Sequence, residues 1–108
     1  MEWGRLAIEC GRDPGEAYAL ALADFDEALR RGPDALDTRL NRGVLHRLTA
    51  EVEAAAGRDP IPSYDRAIAD LGAVIDARPA DYLSHMNRGE ARVGRARAEL
   101  RGGADPRG

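Results

Sequence analysis

The sequence predicts an all-α protein, a solenoid of antiparallel helix hairpins, and the main reason is an internal repeat. Residues 21–43 match residues 67–89 when the chain is shifted by 46 positions. The tetrapeptide Gly-Arg-Asp-Pro at 11–14 returns at 57–60 in the same register. A fixed period of this size is typical of solenoids, in which each unit buries its apolar face against the next unit. No stretch of the chain has the alternating polar and apolar pattern of a β-strand.

The composition fits one small helical domain. Of the 108 residues, 32% are charged and 5% are aromatic, which suits amphipathic helices. The net charge of −3 argues against a dedicated nucleic-acid-binding protein. The single cysteine, Cys10, excludes an internal disulfide and fits a reducing compartment. Because no apolar run approaches the roughly 20 residues of a membrane span, we expect a soluble cytoplasmic protein.

Turn signals divide the chain into five helical segments. Asp13 and Pro14 are typical of a helix start, since the carboxylate accepts free backbone N–H groups and proline has none to lose. Asp34 and Asp81 are predicted N-caps of the same kind, and Gly57 is a predicted helix stop. The predicted segments are residues 1–12, 13–33, 34–58, 59–79 and 80–102, with 103–108 as a tail or the start of a further helix.

The repeat resembles the tetratricopeptide repeat (TPR) in the placing of its small, aromatic and proline residues. The matching positions are Gly43, Gly89, Ala21, Ala67, Ala28, Phe25, Leu71, Pro33 and Pro79. The resemblance implies paired antiparallel helices stacked into a right-handed superhelix, with Gly43 and Gly89 as sites of close helix contact and Phe25 between neighbouring helices. The period differs, because a TPR repeats every 34 residues. The extra residues of each hairpin fall at its tip, around residues 48–64.

The resemblance also implies a function, because TPR proteins often hold an extended peptide in a concave groove. We therefore expect a protein–protein interaction module. Asn41 and Asn87 are the leading candidates, since an amide side chain can satisfy both the donor and the acceptor of a bound backbone. The alternative is that each bonds a neighbouring helix. The expected groove residues are Asp37, Leu40, Asn41, Val44, Arg47, Leu83, Met86, Asn87, Glu90 and Val93.

Other chemical groups indicate little beyond binding. Arg88, Arg92 and Arg95 share one helix face, which is either a site for an anion or acidic partner, a solvated face, or the seat of a missing helix. The repeated pairs of Asp24 and Asp70 with Arg42 and Arg88 are candidates for ion pairs between helices. Neither histidine has metal-ligand spacing, and there is no nucleophile elbow or phosphate loop. We expect no cofactor, no metal and no enzymatic activity.

Two alternative functions stay open. The 46-residue register begins and ends partway through a hairpin, so the chain is either a self-assembling solenoid or part of a longer protein. Residues 1–38 carry a net charge of −5 and residues 80–108 a net charge of +2, so the charges allow contact between opposite ends. The elongated repeat is also loosely similar to the TPR tails of bacterial signalling proteins, including serine/threonine kinases, which makes a regulatory segment the second alternative.

Overall fold

A computed structural model describes residues 14–104 of the chain, and over these residues the only regular structure is helical. The four helices are α1 (Pro14–Arg31), α2 (Leu36–Ala55), α3 (Ile61–Ala77) and α4 (Tyr82–Ala104). They correspond to the second to fifth predicted segments, and the all-α prediction is confirmed for this part of the chain. The first predicted segment, residues 1–12, and the last residues of the predicted tail lie outside the described residues.

The predicted stop after α2 is confirmed by its geometry. Gly57 has a φ of 79°, in the left-handed region that glycine adopts without a steric penalty. Its N–H donates to the carbonyl oxygen of Ala54 at 3.1 Å, and the Arg58 N–H donates to that of Glu53 at 2.8 Å. These bonds satisfy carbonyl groups that the helix end leaves without partners. A single glycine therefore fixes where the longest predicted helix turns back.

The two predicted N-caps at Asp81 and Asp34 have different outcomes. Asp81 Oδ1 accepts hydrogen bonds from the backbone of Leu83 at 3.1 Å and Ser84 at 3.4 Å, so this cap is confirmed. Asp34 is wrong as a cap, because α2 begins after Ala35 without any side-chain cap bond. The Ala35 N–H is held by the carbonyl of Gly32 at 3.1 Å, and this turn places Asp34 one residue too early to reach the first turn of the helix.

Helices that are neighbours in sequence are neighbours in space. α1 packs on α2, α2 on α3 and α3 on α4, while α2 also touches α4. Short connections of this kind make consecutive helices antiparallel. Within the described residues, α3 is the central element, since it packs on α2 along one side and on α4 along the other. The buried side chains of α3 are Ser63, Tyr64, Ala67, Asp70, Leu71, Val74 and Ile75.

The core is small and lies where α2, α3 and α4 meet. Its members are Ala50, Tyr64, Ala67, Leu71 and Ala91. Leu71, at the repeat position of Phe25, is fully buried, whereas Phe25 is only half-buried. The repeat therefore identifies the core position correctly in α3 and overestimates its burial in α1.

The two repeated glycines also differ. A Cβ atom added to Gly43 would lie 2.9 Å from Leu71 Cγ, so Gly43 is the close-packing site that the sequence predicts. A Cβ on Gly89 would meet nothing within 4 Å. The prediction for Gly89 is wrong within this chain, because no helix among residues 14–104 lies against that side of α4.

Candidate functional site

A groove with a volume of about 680 Å³ runs along α4 and reaches α2 and the start of α3. We call it the α4 groove. Met86, Glu90 and Val93, three of the predicted binding residues, line it together with Glu51 and Arg97. Met86 and Val93 are 47% and 51% exposed, so two large apolar side chains face solvent between charged ones. Binding surfaces commonly combine apolar contacts with a few polar groups that fix orientation.

Arg47 connects α2 with α4 beside this groove. Its Nε donates to Asn87 Oδ1 at 3.2 Å, and its Nη1 lies 2.6 Å from Glu51 Oε2 and 3.7 Å from Glu90 Oε2. The Arg47 side chain is 13% exposed, while the two glutamates are half exposed. The guanidinium therefore holds the two helices together, and the glutamates remain accessible from solvent.

Asn41 and Asn87, equivalent in the repeat, are in different environments. Asn87 is 9% exposed and donates to the carbonyl of Leu83 at 2.9 Å while accepting from Arg47. Its amide is thus engaged within the fold, as in the alternative interpretation of the sequence. Asn41 is exposed on α2. Of the two, Asn41 has the accessible amide.

Of the remaining predicted groove residues, some pack within the fold and others are exposed. Leu40 packs against the core and Val44 is half-buried, so both serve the helix packing at least in part. Asp37 is exposed on α2 and pairs at 2.8 Å with Arg78, which lies in the turn between α3 and α4. Leu83, at 44%, is exposed on α4. Of the predicted set, Met86, Glu90 and Val93 therefore line the α4 groove, whereas Leu83, Asn87 and the α2 members do not.

The arginine face of α4 is not uniform. Arg95 Nε donates to Asp65 at 2.6 Å, and its Nη1 lies 2.7 Å from Glu99. These hydrogen bonds, to Asp65 first and then to Glu99, raise the pKa of Arg95. Arg88 and Arg92 have no ion pair among residues 14–104. The free positive charge of the predicted patch is therefore the Arg88–Arg92 pair, one helical turn apart.

A buried polar centre joins α1, α2 and α3. Arg42 donates to both carboxylate oxygens of Asp70 at 2.7 Å and to Asp26 on α1 at 2.9 Å. The hydrogen bonds to Asp70 are the main reason why the pKa of Arg42 is raised above its ordinary value. Of the ion pairs predicted between the repeated aspartates and arginines, the one between Arg42 and Asp70 is thus confirmed, in the strong bidentate form. Asp24 and Arg88 form no ion pair among residues 14–104.

His46 lies at the edge of this centre. Its Nε2 is 4.0 Å from Asp70 Oδ2 and its side chain is 13% exposed. Burial lowers the pKa of His46, and this effect outweighs the opposite pull of the Asp70 charge. The imidazole is therefore neutral at physiological pH.

The sequence analysis missed several residues. Gly94 packs so closely on Tyr64 that an added Cβ would come within 2.3 Å of the ring. Its repeat equivalent is Leu48, so the periodic pattern gave no signal for it. Glu51, Arg97 and Arg101 line the groove and were also missed. Arg97 and Arg101 lie four residues apart on one side of α4, which was visible in the sequence, whereas Glu51 comes from α2.

Comparison of the chain with protein-family models, with curated proteins and with solved structures gave no match. Along residues 14–104, each helix is too short or too polar to cross a lipid bilayer. In the same part of the chain, no three His, Cys, Asp or Glu side chains are grouped to hold a metal ion. The assignment of a function therefore depends on the repeat and on the geometry of the groove.

Proposed function

We propose that this chain is a TPR-like helical-repeat protein of solenoid type that binds an extended segment of another protein in the α4 groove. The observation that carries the proposal is the exposure of Met86 and Val93 inside a groove bordered by charges of both signs. Apolar side chains give a bound peptide its affinity, and charged groups at the rim fix its orientation. The proposal gives the chain a binding role in the cytoplasm, without a cofactor or catalysis.

The charges along the groove define the chemistry of the partner. Glu51 and Glu90 both lie near Arg47, which neutralises only one of their two negative charges. This part of the rim is therefore acidic. Arg97 and Arg101 lie further along α4 on the same groove. We therefore expect a segment with an apolar side chain against Met86 and Val93, a basic residue toward the glutamates and an acidic residue toward the arginines.

Peptides selected from a random display library on the full chain test this proposal. Affinities of the selected peptides are then measured on Met86→Glu and Val93→Glu variants at low protein concentration. Each variant places a charge in the apolar part of the groove, and we expect a rise in Kd of at least about tenfold, or about 1.4 kcal/mol.

Leu20→Glu is the matched control, because Leu20 is also a large exposed apolar residue, at 72%, but lies on α1 outside the groove. Its peptide affinity should equal that of the wild type. Selected peptides that bind all three variants equally well would place the binding site elsewhere and refute the proposal.

A further inference from the structure

The first half of α4 has small residues on its packed side and large apolar residues on its open side. Ser84 and Ala91, on the packed side, are fully buried. Tyr82 and Met86, on the open side, are 69% and 47% exposed. Gly89 lies on the same open side, with nothing within 4 Å of an added Cβ. The solvent-facing side of an amphipathic helix normally carries polar residues. The open side of α4 therefore has the composition of an interface.

The internal repeat shows what covers the equivalent side of α2. Shifted back by 46 residues, Arg88 and Gly89 become Arg42 and Gly43. In the folded chain, Gly43 packs on Leu71 and Arg42 forms its bidentate pair with Asp70, both on α3. The open side of α4 is thus the repeat equivalent of the surface that α2 buries against α3.

The repeat equivalent of α3 is α1, and the helices within residues 14–104 leave the equivalent face of α1 largely uncovered. Shifted back by 46 residues, the α3 residues Asp70, Leu71 and Val74 become Asp24, Phe25 and Ala28. The three α3 residues are between 0% and 5% exposed. Asp24 and Ala28 are exposed and Phe25 is half-buried. Like Arg88, Asp24 has no ion pair among residues 14–104. Each chain therefore displays both halves of the α2–α3 contact, unpaired, on different helices.

We propose that the first half of α4 binds α1 of a second copy of this chain, head to tail, in the register of the α2–α3 contact. Phe25 of the second copy packs on Gly89, and Asp24 of the second copy pairs with Arg88, while Arg92 takes the place that His46 has beside Asp70. The contact involves the first half of α4, because Arg88 and Gly89, the repeat equivalents of Arg42 and Gly43, lie there.

Charge selects this arrangement over a symmetric pairing of two α4 helices. α4 carries five arginines and two glutamates, whereas α1 carries four acidic residues and two arginines. An α4–α4 contact would bring like charges together, which costs affinity, while an α4–α1 contact joins opposite charges. A head-to-tail contact is heterologous, so it produces either closed rings or open chains, and both form increasingly as the concentration rises. The proposed association does not depend on the proposed peptide binding being correct, although the two would compete for Met86 and Gly89.

Sedimentation velocity over a concentration series of the full chain tests the proposal, with charge-reversal variants at two residues that do not line the α4 groove. Arg88→Asp alone and Asp24→Arg alone each set like charges against each other, and we expect the association constant to fall at least about tenfold. The double variant reverses both charges and should associate like the wild type. An equimolar mixture of the two single variants should also associate, because opposite charges then meet at every contact.

Both surfaces are exposed in the single chain, so circular dichroism should show equal folding for all variants. Asp76→Arg, at an exposed position on α3 without an ion pair among residues 14–104, is the matched charge-reversal control and should leave association unchanged. A wild type that stays monomeric at every concentration overturns the proposal. Association that neither single variant weakens, or that the double variant and the mixture fail to restore, overturns it as well. Peptide binding by a monomeric wild type would separate this failure from failure of the proposed function.

Discussion

Two glycines of α4 have opposite surroundings, although both lie inside one helix. A Cβ on Gly94 would come within 2.3 Å of the Tyr64 ring, and one on Gly89 would meet nothing within 4 Å. Gly94→Ala should therefore lower the free energy of unfolding by about 1–3 kcal/mol, as overpacking does. Gly89→Ala should raise it by up to about 1 kcal/mol, because alanine is the better helix former.

Urea denaturation at low protein concentration, where copies do not associate, measures both glycine effects. Gly89→Ala is the matched control, since the chemical change and the helix are the same. Similar shifts in the two variants would mean that Tyr64 does not lie against Gly94.

The buried carboxylate of Asp70 is expected to be essential for stability. Asp70→Asn keeps the shape but removes the charge that accepts two bonds from Arg42. Breaking a buried pair on one side costs roughly 3 kcal/mol, at the lower end of the usual range because Arg42 keeps Asp26 and some solvent contact. Asp37→Asn, which breaks the exposed pair with Arg78, should cost less than about 1 kcal/mol. Thermal unfolding would contradict this ranking if the two variants lost equal stability.

His46 should make the protein less stable in mild acid. Its pKa in the folded state is lowered by burial, whereas in the unfolded chain it titrates near 6.5. Between about pH 7.5 and about pH 5.5 the unfolded state therefore takes up more protons, so the stability present above pH 6.5 is lost as the pH falls. His46→Gln should show a smaller loss over the same range in urea titrations. An identical pH dependence in wild type and variant would exclude His46 as the cause.

At the level of the helices, alanine substitutions should distinguish an aspartate that caps its helix from one that only resembles an N-cap in sequence. Asp81→Ala removes a side chain that accepts hydrogen bonds from the first turn of α4, and should cost about 1 kcal/mol. Asp34→Ala should be nearly neutral, because Asp34 is exposed and α2 begins without a side-chain cap. Denaturant unfolding of both variants checks this prediction. A larger loss for Asp34→Ala would mean that α2 begins earlier than Leu36.

Helix existence and order were predictable from the sequence, because the 46-residue repeat fixes which residues share a face. The stop at Gly57 was predictable for a local reason, since glycine alone adopts its positive φ without strain. The failure at Asp34 is also local: a difference of one residue in the turn takes the carboxylate out of reach of the first helical turn. Such small shifts leave no mark in a periodic pattern.

For the molecule as a whole, the sequence predicted the side of the helix on which a residue lies better than it predicted what packs against that residue. Met86 and Glu90 line one groove, because both lie on the same side of α4, and their role in binding stays a prediction. The sequence allowed either asparagine to bond a neighbouring helix, but it did not show that Asn87 alone would be buried, since that depends on Arg47 reaching across from α2. Gly43 and Gly89 occupy the same repeat position and differ only in whether a helix lies against them. A repeat pattern identifies which residues share a face of a helix, but the burial of that face depends on whether another helix packs against it.

The uneven burial along the chain has a consequence for local unfolding. Among residues 14–104, α1 contributes one buried side chain, Leu29, and is linked to α2 by the pair of Asp26 with Arg42, whereas α3 contributes seven buried side chains. A helix held by so few contacts opens at a lower free energy than the whole domain. In native-state hydrogen exchange, the amides of α1 should therefore lose protection first, and those of α3 only with global unfolding. Equal protection of both helices would contradict this gradient. Where the gradient exists, α1 can detach and dock again while α2, α3 and α4 stay folded.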